Sequence, residues 1–278
     1  MISIALPSRT LVNVASSTEP YLRDLPGWLD SIAVQGRYEQ RPASIGLFDD
    51  DEPESPGRLF TAFGEYRVPG GDWDALRREL TAYASLDAFD VTVSINGSEH
   101  TARVKVEGVV EFDLIDEQGY ADFSIPLLAV DPRKYGPLQS QPTGLFVAGG
   151  GVLSPLTSPF TQIGGGNPGR VTITNQGNTE TTPTFTVTGG LAEGFGILRI
   201  ATGELIRCIW PLVVGDTARV DVAEGQVWLN EQSPISGYLA DEAWWTLGPG
   251  ETTEIQFIGY GAVTGTPQLT VEWRDADA

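Results

Sequence analysis

The sequence predicts a mainly β protein in two domains: an α+β domain with one helix, then an antiparallel β-sandwich. Three observations carry that prediction. Short runs that alternate apolar and polar residues recur along the chain. The 33 glycines and 19 prolines sit mostly between those runs, as turn residues do. One stretch, near residues 72–84, has the clearest spacing of an amphipathic helix. At 278 residues the chain exceeds one small domain. We expect the first domain over residues 1–137 and the second over residues 138–278.

Within the first domain, "SIAVQGRY" (residues 31–38) alternates like a half-buried strand, and "EYRVPGG" (65–71) reads as a strand closing into a turn. Asp72 is the expected N-cap of a helix reaching about Ala84, with Leu76, Leu80 and Tyr83 at i, i+4 and i+7 on one face. Val91, Val93 and Ile95 alternate before Asn96-Gly97, and Ala102, Val104 and Val106 alternate after it, a hairpin signal. "VVEFDLIDEQGYADFSIPLLAV" predicts a second hairpin turning at residues 116–119, stopped by the prolines of "DPRKYGP".

Between residues 136 and 169 the composition shifts to Gly, Pro, Ser and Thr. A flexible linker is one reading. The apolar Leu145, Phe146 and Phe160 favour an ordered, irregular lead-in with a short strand. The second domain then reads as all β. Val171 and Ile173 alternate, as do Phe185 and Val187, and the polar "NQGNTETTP" between them is expected to be a surface connection. Turns are predicted at Thr202-Gly203 and Glu224-Gly225, and "TEIQFIGYG" and "PQLTVEWRDA" supply two more strands. Short strands with regular turn signals argue for a sandwich.

Net charge is −20, and both halves of the chain are acidic. The basic footprint of a nucleic-acid binder is absent, so no sequence-specific nucleic-acid recognition is expected. No run approaches the roughly 18 apolar residues of a bilayer crossing, so no membrane insertion is expected. The first residues, "MISIALPSRTLVNV", show no secretory signal. Cys208 is the only cysteine, which excludes an intrachain disulfide and fits assembly in a reducing cytoplasm.

Candidate chemistry is thin. Ser-His-Asp or Cys-His catalysis needs His100, the only histidine, which falls in "NGSEH" beside a hairpin turn and is expected to face solvent. Cys208 alternates within an apolar strand and reads as a buried small side chain. A glycosidase needs two carboxylates about 5 to 10 Å apart, and nothing singles out a pair. The acidic run "FDDDEPESPG" contains Asp49, Asp50, Asp51, Glu52 and Glu54. It lacks the alternation and central Gly of the helix-loop-helix calcium motif, so a solvated loop tip is expected. The glycine triplets at 149–151 and 164–166 lack the Lys-Ser/Thr of a phosphate loop. No metal site and no cofactor is expected. Trp244 and Trp245 are adjacent and on a strand would face opposite sides, one toward the core and one toward a glycan or partner.

The second half resembles the C-terminal domain of siphophage distal tail proteins, and actinobacteriophage minor tail proteins in particular. "VTITNQGNTETTPTFTVTG" is similar to the opening of that domain, and "ILRIATGELIRCIWPLVVGDTARVDVAEGQVWLN" to its two hairpins, with the Gly215 to Asp221 step. "LADEAWWTLGPGETTEIQFIG" resembles its Pro-Gly loop, though Thr252 stands where Asn is usual, and "LTVEWRDA" its last strand. "SIAVQGRY" and "LLAVDPRKYGP" resemble the N-terminal belt domain and its exit. The acidic run has no counterpart in the pattern.

The resemblance implies a belt domain built as a β-sheet or split barrel with one helix, followed by a galectin-like sandwich. It implies a non-enzymatic virion protein of the tail tip: a homo-hexameric ring joining the tail tube protein to the tail-tip hub, with the tape measure protein as neighbour. It also implies a DNA channel whose acidic wall would repel phosphates. The alternative reading is a carbohydrate-binding module for host-wall glycans, working through Trp244 and Trp245. A glycosidase is a third.

Overall fold

The computed structural model describes residues 1–31, 57–115, 120–146 and 167–278, with the backbone of 38–40 and 47–49. The chain divides into two compact units, Met1–Pro137 with Asp277–Ala278, and Leu138–Ala276.

The first unit is built on an antiparallel sheet. Its strand order is Thr10–Val12, Ile2–Ala5, Phe89–Ile95, Ser98–Val106, Ala121–Ala129, Arg58–Tyr66 and Tyr21–Asp24. The two ends of this order meet. The Asn13 side-chain amide, just past the first strand, donates to the Leu22 and Arg23 carbonyls of the last at 3.3 and 2.9 Å. A side chain thus bridges where a backbone ladder would close the barrel, and the sheet is nearly closed.

Alternation fills the barrel. Phe60, Ala62 and Tyr66 of one strand and Ala121, Phe123, Ile125, Leu127 and Ala129 of its neighbour all point inward and are buried. Gly64 lies opposite Phe123 in this pairing, and a Cβ there would sit 2.1 Å from the Phe123 ring. The ring occupies the space that a side chain at position 64 would need.

The helix runs Trp73–Ala82, and the Asp72 carboxylate accepts from the Ala75 amide at 2.9 Å, as its capping role predicts. Leu76 and Leu80 are buried, and Tyr83 joins them from the 3-10 turn that follows. Arg9 grips the outer side of the helix through Glu79, with its Nε at 2.7 Å. The Asn96-Gly97 turn is a two-residue hairpin: Ile95 pairs with Ser98, and both turn residues have positive φ, 53° and 89°.

Strands Ile2–Ala5, Thr10–Val12 and Tyr21–Asp24 were not expected, because runs of three or four residues carry too little alternation to read. The strand read at 65–71 instead runs Arg58–Tyr66. Most of the strand expected at 31–38 lies outside the described residues, as does the turn at 116–119, which falls between Glu111–Leu114 and Ala121–Ala129. Backbone segments Tyr38–Gln40 and Leu47–Asp49 pair antiparallel.

The second unit is a sandwich. One sheet orders Gln139–Gly144, Val263–Trp273, Thr184–Leu191, Thr217–Asp221, Gln226–Leu229 and Ser233–Pro234. The other orders Arg170–Thr174, Thr252–Gly259, Phe195–Arg199, Leu205–Cys208 and Leu239–Glu242. Phe185, Val187, Val220, Leu269 and Val271 of the first pack with Ile173, Phe195, Ile197, Ile206 and Phe257 of the second in one core. Pro142 sits in the edge strand, where its missing N–H costs the sheet least.

Two expectations are corrected here. Of the apolar anchors in the lead-in, Leu145 packs on the sandwich core but Phe146 is 63% exposed; Phe160 and both glycine triplets lie outside the described residues. The polar "NQGNTETTP" is not merely a surface connection. Asn175 is fully buried; its Nδ2 donates to the carbonyls of Thr179, Leu247 and Gly248, and its Oδ1 accepts from the amides of Gly177 and Ala276. A primary amide has both donors and acceptors, so it can stand in for backbone where three segments converge. The crossing between the two sheets is pinned from inside.

Candidate functional site

The two tryptophans lie in the loop after strand Leu239–Glu242, not on a strand. Trp245 is 4% exposed and packs on Phe185 at 5.7 Å between ring centroids. Trp244 is half-buried against the same core, and its indole stacks beside Gly225, 3.7 Å from where a Cβ would project. The pair is therefore split in burial, although by a loop and not by strand alternation.

His100 is half-buried, which corrects the expected exposure. It lies on Ser98–Val106 opposite Val93, with Nε2 3.1 Å from Asp277 Oδ2. Cys208 is fully buried in a strand, as expected, and burial pushes its thiol pKa up. Asp49 ends the strand Leu47–Asp49; Asp50, Asp51, Glu52 and Glu54 lie outside the described residues. Among the described residues no group of three or more His, Cys, Asp or Glu side chains is arranged to hold a metal ion.

One surface feature was not anticipated. A cleft of about 410 Å³ opens on the outer face of the barrel, lined by residues that include Asp24, Phe63, Glu111, Asp113 and Asp122. Strand pairing orders these groups into two adjacent rows. One reads Glu111, Ser124, Phe63, Asp24 across four strands; the next reads Asp113, Asp122, Glu65, Tyr21. Three carboxylates therefore face one another directly across strands, an unfavourable arrangement unless cations intervene. Arg67 bridges Asp122 and Glu65 at 2.9 and 3.1 Å, and Arg23 approaches both at 3.9 and 3.5 Å. Tyr21 donates to Glu65, and that bond holds the Tyr21 hydroxyl pKa above its ordinary value, with burial adding to the rise. Among the described residues no Lys or Arg forms an ion pair with Glu111 or Asp113. Carboxylates, two guanidiniums and an exposed aromatic ring form a set suited to recognising charge and apolar surface.

A sequence signal for this face exists. In "RLFTAFGEY" the outward positions Leu59 and Phe63 are apolar, where strict alternation would put polar residues. Reading the strand from Glu65 onward left that signal out.

Residues 176–276 match the family model described as Siphovirus-type tail component, C-terminal domain. Among solved structures, the chain is similar to the Dit (gp 19.1) protein of phage SPP1, described as a paradigm of hub adsorption apparatus in Gram-positive infecting phages. That likeness has a TM-score of 0.67 at 13% identity and covers 99% of both chains. The phage p2 baseplate in its activated conformation with Sr gives 0.52 at 12% identity, over 98% of this chain and 97% of that one. The same baseplate with Ca gives 0.52 at 11% identity, with the same coverage. No curated protein matches the chain. The resemblance read from the strands and turns of the second half is borne out by the family match, and the mainly β fold by the whole-chain likeness to Dit.

Proposed function

We propose that this chain, whose residues 176–276 carry the C-terminal domain of the siphovirus-type tail components, is a structural virion protein without enzymatic activity. It forms a hexameric ring at the distal end of a long, non-contractile phage tail. The ring joins the tail tube to the tail-tip hub and leaves a channel for DNA. The observation that carries this reading is the family match over most of the sandwich. The similarity of the backbone to SPP1 Dit along nearly its full length supports it.

The partners are further copies of the chain, the tail tube protein, the hub protein and the tape measure protein. The net charge of −20 suits a wall past which DNA must slide, since fixed carboxylates repel phosphates. A lone, buried cysteine suits assembly in the host cytoplasm before incorporation into the virion. Negative-stain microscopy and light scattering of the purified full chain test the reading. A closed six-fold ring with a central hole is the expected result. A monomer that stays monomeric alone and with the purified tail tube protein overturns it.

A glycan-contact role for the sandwich falls to Trp244, because Trp245 is spent on the core. Binding of host-wall glycan fragments that is lost in Trp244→Ala supports that role, and wild-type protein that binds none removes it.

A further inference from the structure

One tryptophan of the second unit is left over from its core. Trp245 and Trp273 are buried in that core, and Trp210 and Trp244 pack against it. Trp228 does neither. It lies on Gln226–Leu229, where Val227 points inward and is fully buried, so alternation turns Trp228 to the outer face of the six-stranded sheet. Among the described residues its indole makes no ring contact and its Nε1 no hydrogen bond.

Strand register sets polar groups beside it. One row reads Trp228, Arg219, Thr186, Thr270 across four strands. Arg219 is held by two carboxylates, Asp221 at 2.7 Å and Glu231 at 3.7 Å. An indole thus stands next to a guanidinium that is already oriented, with carboxylates on the same patch.

We propose that this face, centred on Trp228 and Arg219, is a binding site for a neutral glycan. The inference deepens the glycan reading above by moving the contact from Trp244 to the sheet face, and it does not rest on the ring. Composition and charge select the occupant. Apart from Trp228, the outward positions from Thr184 to Thr188, Thr217 to Asp221, Gln226 to Trp228 and Gln268 to Glu272 hold only Thr, Gln, Glu, Asp and Arg. The apolar centre of a protein interface is missing there. Asp221, Glu231 and Glu272, in a chain of net charge −20, repel phosphates and acidic sugars. A neutral sugar meets both demands. Its C–H face covers the indole, whose ring is apolar with one polar N–H. Its hydroxyls both donate and accept, which suits a guanidinium that only donates and carboxylates that only accept.

The test uses the full chain and titration calorimetry. The probes are the neutral tetrasaccharides of glucose, galactose and N-acetylglucosamine, each up to about 10 mM, with tetragalacturonate as the acidic comparison. The wild-type chain is expected to bind at least one neutral probe and to bind the acidic one at least about ten-fold more weakly. Trp228→Ala is expected to weaken binding by about ten-fold or more, Arg219→Gln to weaken it less, and Trp228→Phe to retain part of it. Thermal melting checks that each variant is folded, and Trp228→Phe keeps a ring on the face should the alanine variant fail to fold. Binding unchanged in Trp228→Ala overturns the proposed site alone. Binding lost in Trp244→Ala and kept in Trp228→Ala also overturns it and returns the contact to Trp244. Equal binding of the acidic probe overturns the choice of a neutral ligand. A wild-type chain that binds none of the neutral probes removes the glycan reading, and this inference with it.

Discussion

The guanidinium of Arg199 lies 4.9 Å from the ring centroid of Trp245, with both residues more than nine-tenths buried. Arg199 reaches this depth because its charge is matched: Nη1 donates to Glu204 at 2.9 Å and Nη2 to Glu251. One face of the indole covers the cation while the other elements of the core hold the ring in place. Trp245 is thus part of the sandwich scaffold. We expect Trp245→Ala to destabilise the chain by about 3–5 kcal/mol and Trp244→Ala by clearly less. Trp245→Phe should cost little beyond its lost volume, because the Trp245 Nε1 is buried and has no hydrogen-bond partner among the described residues. Urea denaturation of the three variants measures the order.

Asn175 and Gly177 make a second prediction. Asn175→Ala removes five hydrogen bonds and strands the Thr179 carbonyl and the Gly177 and Ala276 amides, while the Leu247 and Gly248 carbonyls keep backbone partners, for an expected loss of roughly 2–4 kcal/mol. Gly177→Ala must place a Cβ 1.9 Å from the Ala276 carbonyl oxygen, so the backbone has to move. Both should lower the melting temperature. Asn175→Asp should fare no better than alanine, since a carboxylate accepts but cannot donate to the three carbonyls. A neutral result for Asn175→Asp would disprove the donor argument.

Acid should unfold the chain through specific carboxylates. The Arg9 guanidinium, helped by Ser8, holds the Glu79 carboxyl below its ordinary 4.5. Burial works against charge at Glu251 and Asp131. It is outweighed at Glu251 by the Gly248 amide and Arg199, and at Asp131 by Arg133 and Tyr135, so both pKa values fall. Groups with depressed values contribute stability that is complete above the unfolded pKa and lost as pH falls through the folded one. Stability should therefore be flat from neutral pH to about 5 and decline below about 4. Denaturation midpoints across that range check the shape, and Glu79→Gln should shallow the decline.

Cys208 offers a simple kinetic check. It is fully buried and its thiol pKa is raised, so little thiolate forms and none is accessible. A thiol-reactive dye should label it at once in denaturant and, in native buffer, only at a rate limited by unfolding. Rapid native labelling would mean that this strand opens.

Some of this was legible in the sequence. Asp72, Leu76 and Leu80 announced the helix and its buried face because a cap and a 3.6-residue period lie within one short window. Asn96-Gly97 announced the hairpin because positive φ at both positions is a demand few residue pairs meet. The burial of Cys208 followed from its place in an alternating strand. The acidic rows around Phe63 were not legible: Asp24, Phe63, Ser124 and Glu111 come from four strands whose order along the chain is not their order in the sheet.

The sequence alone determined the helix, the hairpin at Asn96-Gly97, the turns at Thr202-Gly203 and Glu224-Gly225, the mainly β class and a recognisable second domain, because each depends on residues a few positions apart. Tertiary structure decided which strands are neighbours. With that it decided that Asn175 is buried, that Phe123 fills the place of a side chain at Gly64, and that His100 meets Asp277 from 177 residues away. Alternation fixes which face a residue occupies, but strand pairing fixes what that face meets, and pairing is settled by the packing of the whole core.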